Sequence, residues 1–167
     1  SITVFTQMGT EFQSSTRYNS RGADHFLVKP SSLAFGDNGN LATIHEEDDF
    51  TQGPPPRGTP ADFMGPTLWP ARLDVFDGGH GSHLDMLHNS PNGMGIAWEK
   101  DNAYWVFDGH NSSITRYDFA MDHGYGGSDH SDGLVNRYLE GQVSRVENVP
   151  SHMEFDHRTN LLYIADT

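Results

Sequence analysis

The chain has 167 residues, with 10 basic against 23 acidic side chains, a formal net charge of -13 and no cysteine. That balance repels phosphate backbones and anionic lipid surfaces, and the missing thiols exclude disulfides, thiolate metal sites and a cysteine nucleophile. With 35% hydrophobic residues there is enough apolar surface for a packed domain, and no apolar run reaches the roughly 18 residues that a membrane-spanning helix requires.

Residues 1–27 read as the end of a unit that precedes three related copies. The first copy, taken as residues 28–89, opens with Pro30-Ser-Ser-Leu-Ala-Phe35, turns at Asp37-Asn-Gly39 and continues through Leu41-Ala-Thr-Ile-His45. Asp, Asn and Gly tolerate positive φ, so the turn closes a β-hairpin. Gln52-Gly-Pro-Pro-Pro-Arg-Gly58, running on to Pro70, is expected to be a long loop, being too rich in Pro and Gly for a sheet interior.

The second copy, residues 90–149, repeats the hairpin as Gly95-Ile-Ala-Trp98, Lys100-Asp-Asn102 and Ala103-Tyr-Trp-Val-Phe-Asp108. Ile114-Thr-Arg-Tyr-Asp-Phe119 alternates apolar and polar residues as a half-exposed third strand does. Asp122 to Gly133 reads as a second long loop, and Gln142-Val-Ser-Arg-Val146 as the outer strand. The third copy, residues 150–167, is incomplete: Pro150-Ser-His-Met-Glu-Phe155, a turn over Asp156 to Asn160, then Leu161-Leu-Tyr-Ile-Ala-Asp166.

Copies about sixty residues apart, each a small antiparallel sheet, point to an all-β array in which every unit packs on its neighbours. The stretches Tyr104 to Phe119 and Leu161 to Asp166 resemble the NHL-repeat family of β-propellers, whose units end their second strand in an apolar-Asp step. The resemblance implies a propeller, six-bladed in the parent protein, of which this chain covers about three blades. The remainder of the ring is expected in the same or another chain. Gly39-Asn-Leu-Ala-Thr-Ile-His45 is also similar to a step in the amidating-lyase branch of that family, which implies a central Zn on three histidines and a structural Ca. Glu46 and His110 stand where that branch has its arginine and tyrosine, so its reaction is not implied.

Ten histidines supply the main chemical signal. His80, His83 and His88 fall in one loop and His123 and His130 in another, and imidazoles near carboxylates are sources of Zn or Cu ligands. A second set comes from mismatches between copies. His45 stands where the others have Asp108 and Asp166, His110 follows Asp108 by two, and His152 occupies the entry glycine of the third copy. Equivalent positions of propeller blades converge on the central channel, so His45, His110 and His152 are candidate ligands of a channel metal. The alternative for both sets is a solvated loop, or a turn histidine satisfying a carbonyl. Asp122, Asp129 and Asp132 offer oxygen ligands for Ca, without the EF-hand spacing.

No Gly-x-Ser-x-Gly elbow, phosphate loop or pair of opposed carboxylates is present, and no organic cofactor is expected. The composition suits an extracellular or periplasmic module that binds a protein, a glycan or another copy of itself, a binding scaffold rather than an enzyme. The alternative is a His-ligated metalloprotein with lyase-like chemistry.

Overall fold

The computed structural model describes residues 2–18, 27, 29–46, 64–76, 83–147, 149 and 151–165. The expected loop over 52–58, His80 and Asp166 lie outside these residues. The described residues form twelve strands and one helical turn: β1 Ile2–Thr6, β2 Ser14–Tyr18, β3 Pro30–Phe35, β4 Asn40–His45, β5 Met64–Pro70, α1 Leu73–Phe76, β6 Asp85–His88, β7 Gly93–Lys100, β8 Ala103–Asp108, β9 Ser113–Asp118, β10 Leu134–Tyr138, β11 His152–Asp156 and β12 Leu161–Ala165.

The chain is all-β. Its strands form four small antiparallel sheets in which every neighbour in space is also a neighbour in sequence: β1-β2, β3-β4-β5-β6, β7-β8-β9-β10 and β11-β12. Short turns close β3-β4, β7-β8, β8-β9 and β11-β12, because an antiparallel pair needs only a few connecting residues whereas a parallel pair needs a crossover, and longer connections join β4-β5, β5-β6 and β9-β10. Among the described residues the sheets do not close on themselves.

Sequence alternation explains how the sheets stack. Along β8, Tyr104 and Val106 face one side and pack with Ala42, Ile44 and Leu68 of the preceding sheet. Phe107 and the partly buried Trp105 face the other side, against Met153, Phe155 and Ile164 of the following sheet. Successive strand side chains point to opposite faces, so the run Ala103-Tyr-Trp-Val-Phe belongs to a sheet covered on both. Complete burial of one such aromatic contributes on the order of 2 kcal/mol. A third cluster, Leu41, Trp69 and Met86 with Ile2, covers the remaining face of the first four-stranded sheet. Trp69 keeps its indole N–H satisfied there by Thr43 Oγ1 at 2.9 Å.

β7 lies between β3 and β11, so the first strands of three successive sheets are neighbours. Gly93 makes one of these approaches possible, since a Cβ at that position would run into the Ile44 side chain.

Two sequence expectations are corrected. Met64–Pro70 is the third strand of the first four-stranded sheet, not loop. A register shift between Met64 and Thr67 lets Pro66, which has no N–H to donate, sit at an irregularity of the ladder. The outer strand of the second sheet is Leu134–Tyr138, paired with β9, and not Gln142–Val146. Leu139 and Gly141 adopt φ of 56° and 69°, which ends the strand, and Val143 then turns inward to the Phe107 and Ile114 cluster. The stretch between β9 and β10 contains no regular element and is the long loop expected.

Candidate metal centre

The last strand of the first four-stranded sheet and the loop between β9 and β10 meet at one place. Leu84 joins them: its N–H donates to the Leu68 carbonyl at 2.8 Å, and its own carbonyl accepts the His123 N–H at 3.0 Å. His83 is thereby set just before β6, with His123 above it.

Carboxylates shape the loop. Asp122 Oδ1 accepts the Gly124 N–H at 3.0 Å, Asp129 Oδ1 accepts the Ser131 N–H at 3.0 Å, and Asp132 Oδ2 accepts the Met121 N–H at 3.1 Å, tying the two ends of the loop together. Short acidic side chains favour such turns because they reach backbone donors two residues on. The Asp129 carboxyl is held below its ordinary range by the Ser131 hydroxyl and N–H. Gly127 fits tightly under His123: a Cβ there would lie 2.5 Å from the His123 carbonyl oxygen and 2.7 Å from its Nδ1.

The result is a cluster of three imidazoles. The His83 and His123 ring centroids are 4.8 Å apart, His123 and His130 4.9 Å, and His83 and His130 6.2 Å. One ring nitrogen from each lies within 4.8 Å of the others, close enough to bind a metal ion. Nitrogens at 2.0–2.1 Å from a tetrahedral ion are roughly 3.4 Å apart, so the three rings would have to close in by about 1 Å to share one. His83 is buried and packs edge-on to Trp69, while His123 and His130 are half-buried and bring the centre to the surface.

The second nitrogens of two rings are already used. His123 Nδ1 lies 2.6 Å from the Gly124 carbonyl oxygen, which can only accept, so Nδ1 carries the proton. Its Nε2 is buried without a hydrogen-bond partner. His130 Nδ1 lies 2.7 Å from Asp85 Oδ1. The Met86 N–H is 3.3 Å from the same nitrogen but 2.7 Å from Asp85 Oδ1, and the shorter, charge-assisted geometry makes the carboxylate oxygen the acceptor of both donors. Each ring therefore offers Nε2 with Nδ1–H held by an acceptor, the arrangement usual for metal-ligating histidines. Burial pushes the Asp85 carboxyl above its ordinary range, against the opposing pull of its bond to His130.

Asp85 did not stand out in the sequence, although Leu84-Asp-Met-Leu87 carries the signal: a carboxylate inside an apolar run needs a buried partner. The other candidates lie elsewhere. His45 is buried at the end of β4. His88 ends β6, where its carbonyl oxygen lies 2.6 Å from the Tyr117 hydroxyl. His110 is exposed, with its N–H on Asp108 Oδ1 at 3.1 Å, and His152 is exposed, 4.0 Å from the Glu154 carboxylate. Among the described residues, His83, His123 and His130 alone form a group of metal-ligand geometry, and His45, His110 and His152 do not come together as a second.

No protein-family model matches the chain, and no curated protein matches it. A solved structure of an auxiliary nutrient binding protein from Bacteroides ovatus ATCC 8483 is similar, with a TM-score of 0.48 and 17% sequence identity over 81% of this chain and 25% of that one. The chain thus aligns with about a quarter of that protein's length.

Proposed function

We propose that the chain is a metal-binding module in which His83, His123 and His130 hold a divalent transition-metal ion, Zn or Cu, within a β-propeller-type array. The observation that carries this reading is the pairing of two Nδ1 atoms with acceptors, Gly124 O and Asp85 Oδ1, which leaves Nε2 as the nitrogen each ring has to offer in a group whose ligand atoms lie within 4.8 Å of one another. Imidazole donors suit Zn and Cu, whereas Ca and Mg take oxygen ligands. Loop shaping rather than Ca binding is assigned to Asp122, Asp129 and Asp132, because each carboxylate already accepts a loop N–H.

Support for an NHL-type array comes from the adjacency of β3, β7 and β11, each opening an antiparallel meander or hairpin, as the inner strands of successive blades do. In this reading the module is extracellular or periplasmic and acts as a binding scaffold for a protein, a glycan or another copy.

The test is elemental analysis and Zn2+ titration of the purified protein. About one equivalent of metal is expected, and below about a tenth in a variant with all three histidines replaced by Ala. Wild-type protein that retains below about a tenth of an equivalent of Zn or Cu, and takes up neither on titration, overturns the proposal.

A further inference from the structure

Two buried carboxylates in this fold are treated very differently. Asp108, fully buried, accepts from Ser90 Oγ, the Asn111 side chain, two backbone N–H groups and Arg137, so its charge is matched on both oxygens. Asp85 is equally buried, yet among the described residues its hydrogen bonds fall on Oδ1 alone, from His130 and the Met86 N–H, and Oδ2 has no partner. Among the described residues, the one group at ion-pair distance from Asp85 is the His130 ring. A buried carboxylate without a fixed cation is costly, and chains keep one where a positive charge arrives. The far nitrogen of the same His130 ring is the one offered to the metal.

We infer that Asp85 is the fixed counter-charge of the His83, His123 and His130 centre, a positioning residue that holds His130 in the ligating tautomer and favours a divalent over a monovalent ion. This rests on the reading of the three histidines as a metal site. The carboxylate and the ion sit at opposite ends of one imidazole, about 6 Å apart, and their attraction grows in proportion to the charge of the ion. The exposed Asp129 contributes little in comparison, because solvent screens it.

Asp85→Asn can keep an Oδ1 acceptor for His130 and Met86 while it removes the charge and puts an amide Nδ2 in place of Oδ2, so comparing affinities for Zn2+ and Ag+ in the wild type and this variant isolates the charge-dependent part of the effect. The expected loss for Zn2+ is about 10- to 100-fold, the range for a carboxylate partner of a ligating histidine. For Ag+ it is about the square root of that, since the coupling is linear in charge. Equal losses for the two ions would mark a merely structural role and overturn the inference, as would an unchanged Zn2+ affinity. A wild type that binds neither ion overturns the metal-site reading and this inference with it; Zn2+ binding by the wild type separates the two. If Asp85→Asn does not fold, the unmodified protein still decides: the His130 Nδ1 proton, held by Asp85, should give a slowly exchanging downfield resonance that persists on Zn2+ loading. Its absence from the Zn2+-loaded protein overturns the inference.

Discussion

His123 is turned back on its own loop: its Nδ1 is 2.6 Å from the Gly124 carbonyl oxygen, while Nε2 is buried without a partner. That relationship leaves Nε2 as the nitrogen this ring would offer a metal, and it yields a stability test. Free Zn2+ at about one hundred times its dissociation constant stabilises the native state by about 2.7 kcal/mol. In His123→Ala at the same concentration the gain should fall below about 1 kcal/mol, read as the Zn2+-dependent shift of the denaturant midpoint. An undiminished shift would refute the assignment of His123 as a ligand.

Gly127 touches the centre without offering a ligand. A Cβ there would meet the His123 carbonyl oxygen at 2.5 Å and its Nδ1 at 2.7 Å, so Gly127→Ala is expected to shift the His123 segment and its ring. Zn2+ affinity is expected to drop about tenfold, while metal-free stability changes by less than about 1 kcal/mol, since exposed loops add little to global stability. Isothermal titration and chemical denaturation separate the two effects. Unaltered affinity would mean that the loop relaxes without moving His123.

Asp108 organises the end of the second four-stranded sheet. It receives Ser90 at 3.0 Å, Arg137 at 3.1 Å and the Asn111 side chain at 2.7 Å, and all of these lose their acceptor in Asp108→Ala. Breaking a buried charge pair on one side costs about 3–5 kcal/mol. A loss of that size should appear in urea unfolding with little change in Zn2+ affinity, because the network lies apart from the three histidines. A cost below about 1 kcal/mol would show that water replaces the carboxylate.

Alkaline pH should destabilise the fold through two tyrosines. Burial raises both Tyr104 and Tyr117 above the ordinary value of 10.0, at Tyr117 against the opposing pull of its bond to Ser90 Oγ, and the Tyr117 hydroxyl lies 2.6 Å from both Ser90 Oγ and the His88 carbonyl oxygen. Both stay protonated in the folded chain at a pH where the unfolded chain loses those protons. The stabilisation is therefore complete below about pH 10 and declines as the pH rises beyond it. Absorbance of tyrosinate should reveal two of the six tyrosines ionising only as the protein unfolds. Ionisation of all six before loss of the β-sheet signal would contradict this.

Hairpins were the legible part of the sequence. Asp37-Asn-Gly39 and Lys100-Asp-Asn102 state both turn chemistry and strand ends, and β3-β4 and β7-β8 follow them closely. The strand at Met64 was hidden by Gly65, Pro66 and Pro70, because composition speaks against a strand while a local ladder irregularity accommodates Pro66 and Pro70 stands at the strand end. Gln142–Val146 starts polar-apolar-polar as a half-exposed strand does, whereas Leu134–Tyr138 sets two apolar residues before two polar ones, and the fold nonetheless pairs the latter with β9 and turns Val143 inward. The histidines that meet were each among the candidates, but their grouping was not evident: sequence set His83 with His88, whereas the backbone bond from His123 to Leu84 sets it with the distant loop. Asp85 was missed because burial, which gives a carboxylate its meaning, is a property of the folded chain.

The centre joins two parts of the chain that no thiol can join. His83 belongs to the end of one four-stranded sheet, and His123 and His130 to a loop of the next, so an ion there acts as a removable cross-link in a protein without cysteine. In the chain-entropy picture, closing the segment between residues 83 and 130 is worth about 4 kcal/mol. Chelation would then leave the two sheets joined by their shared apolar cluster at this end of the interface, lowering the force needed to peel one from the other while leaving each sheet's own hydrogen-bond ladder intact.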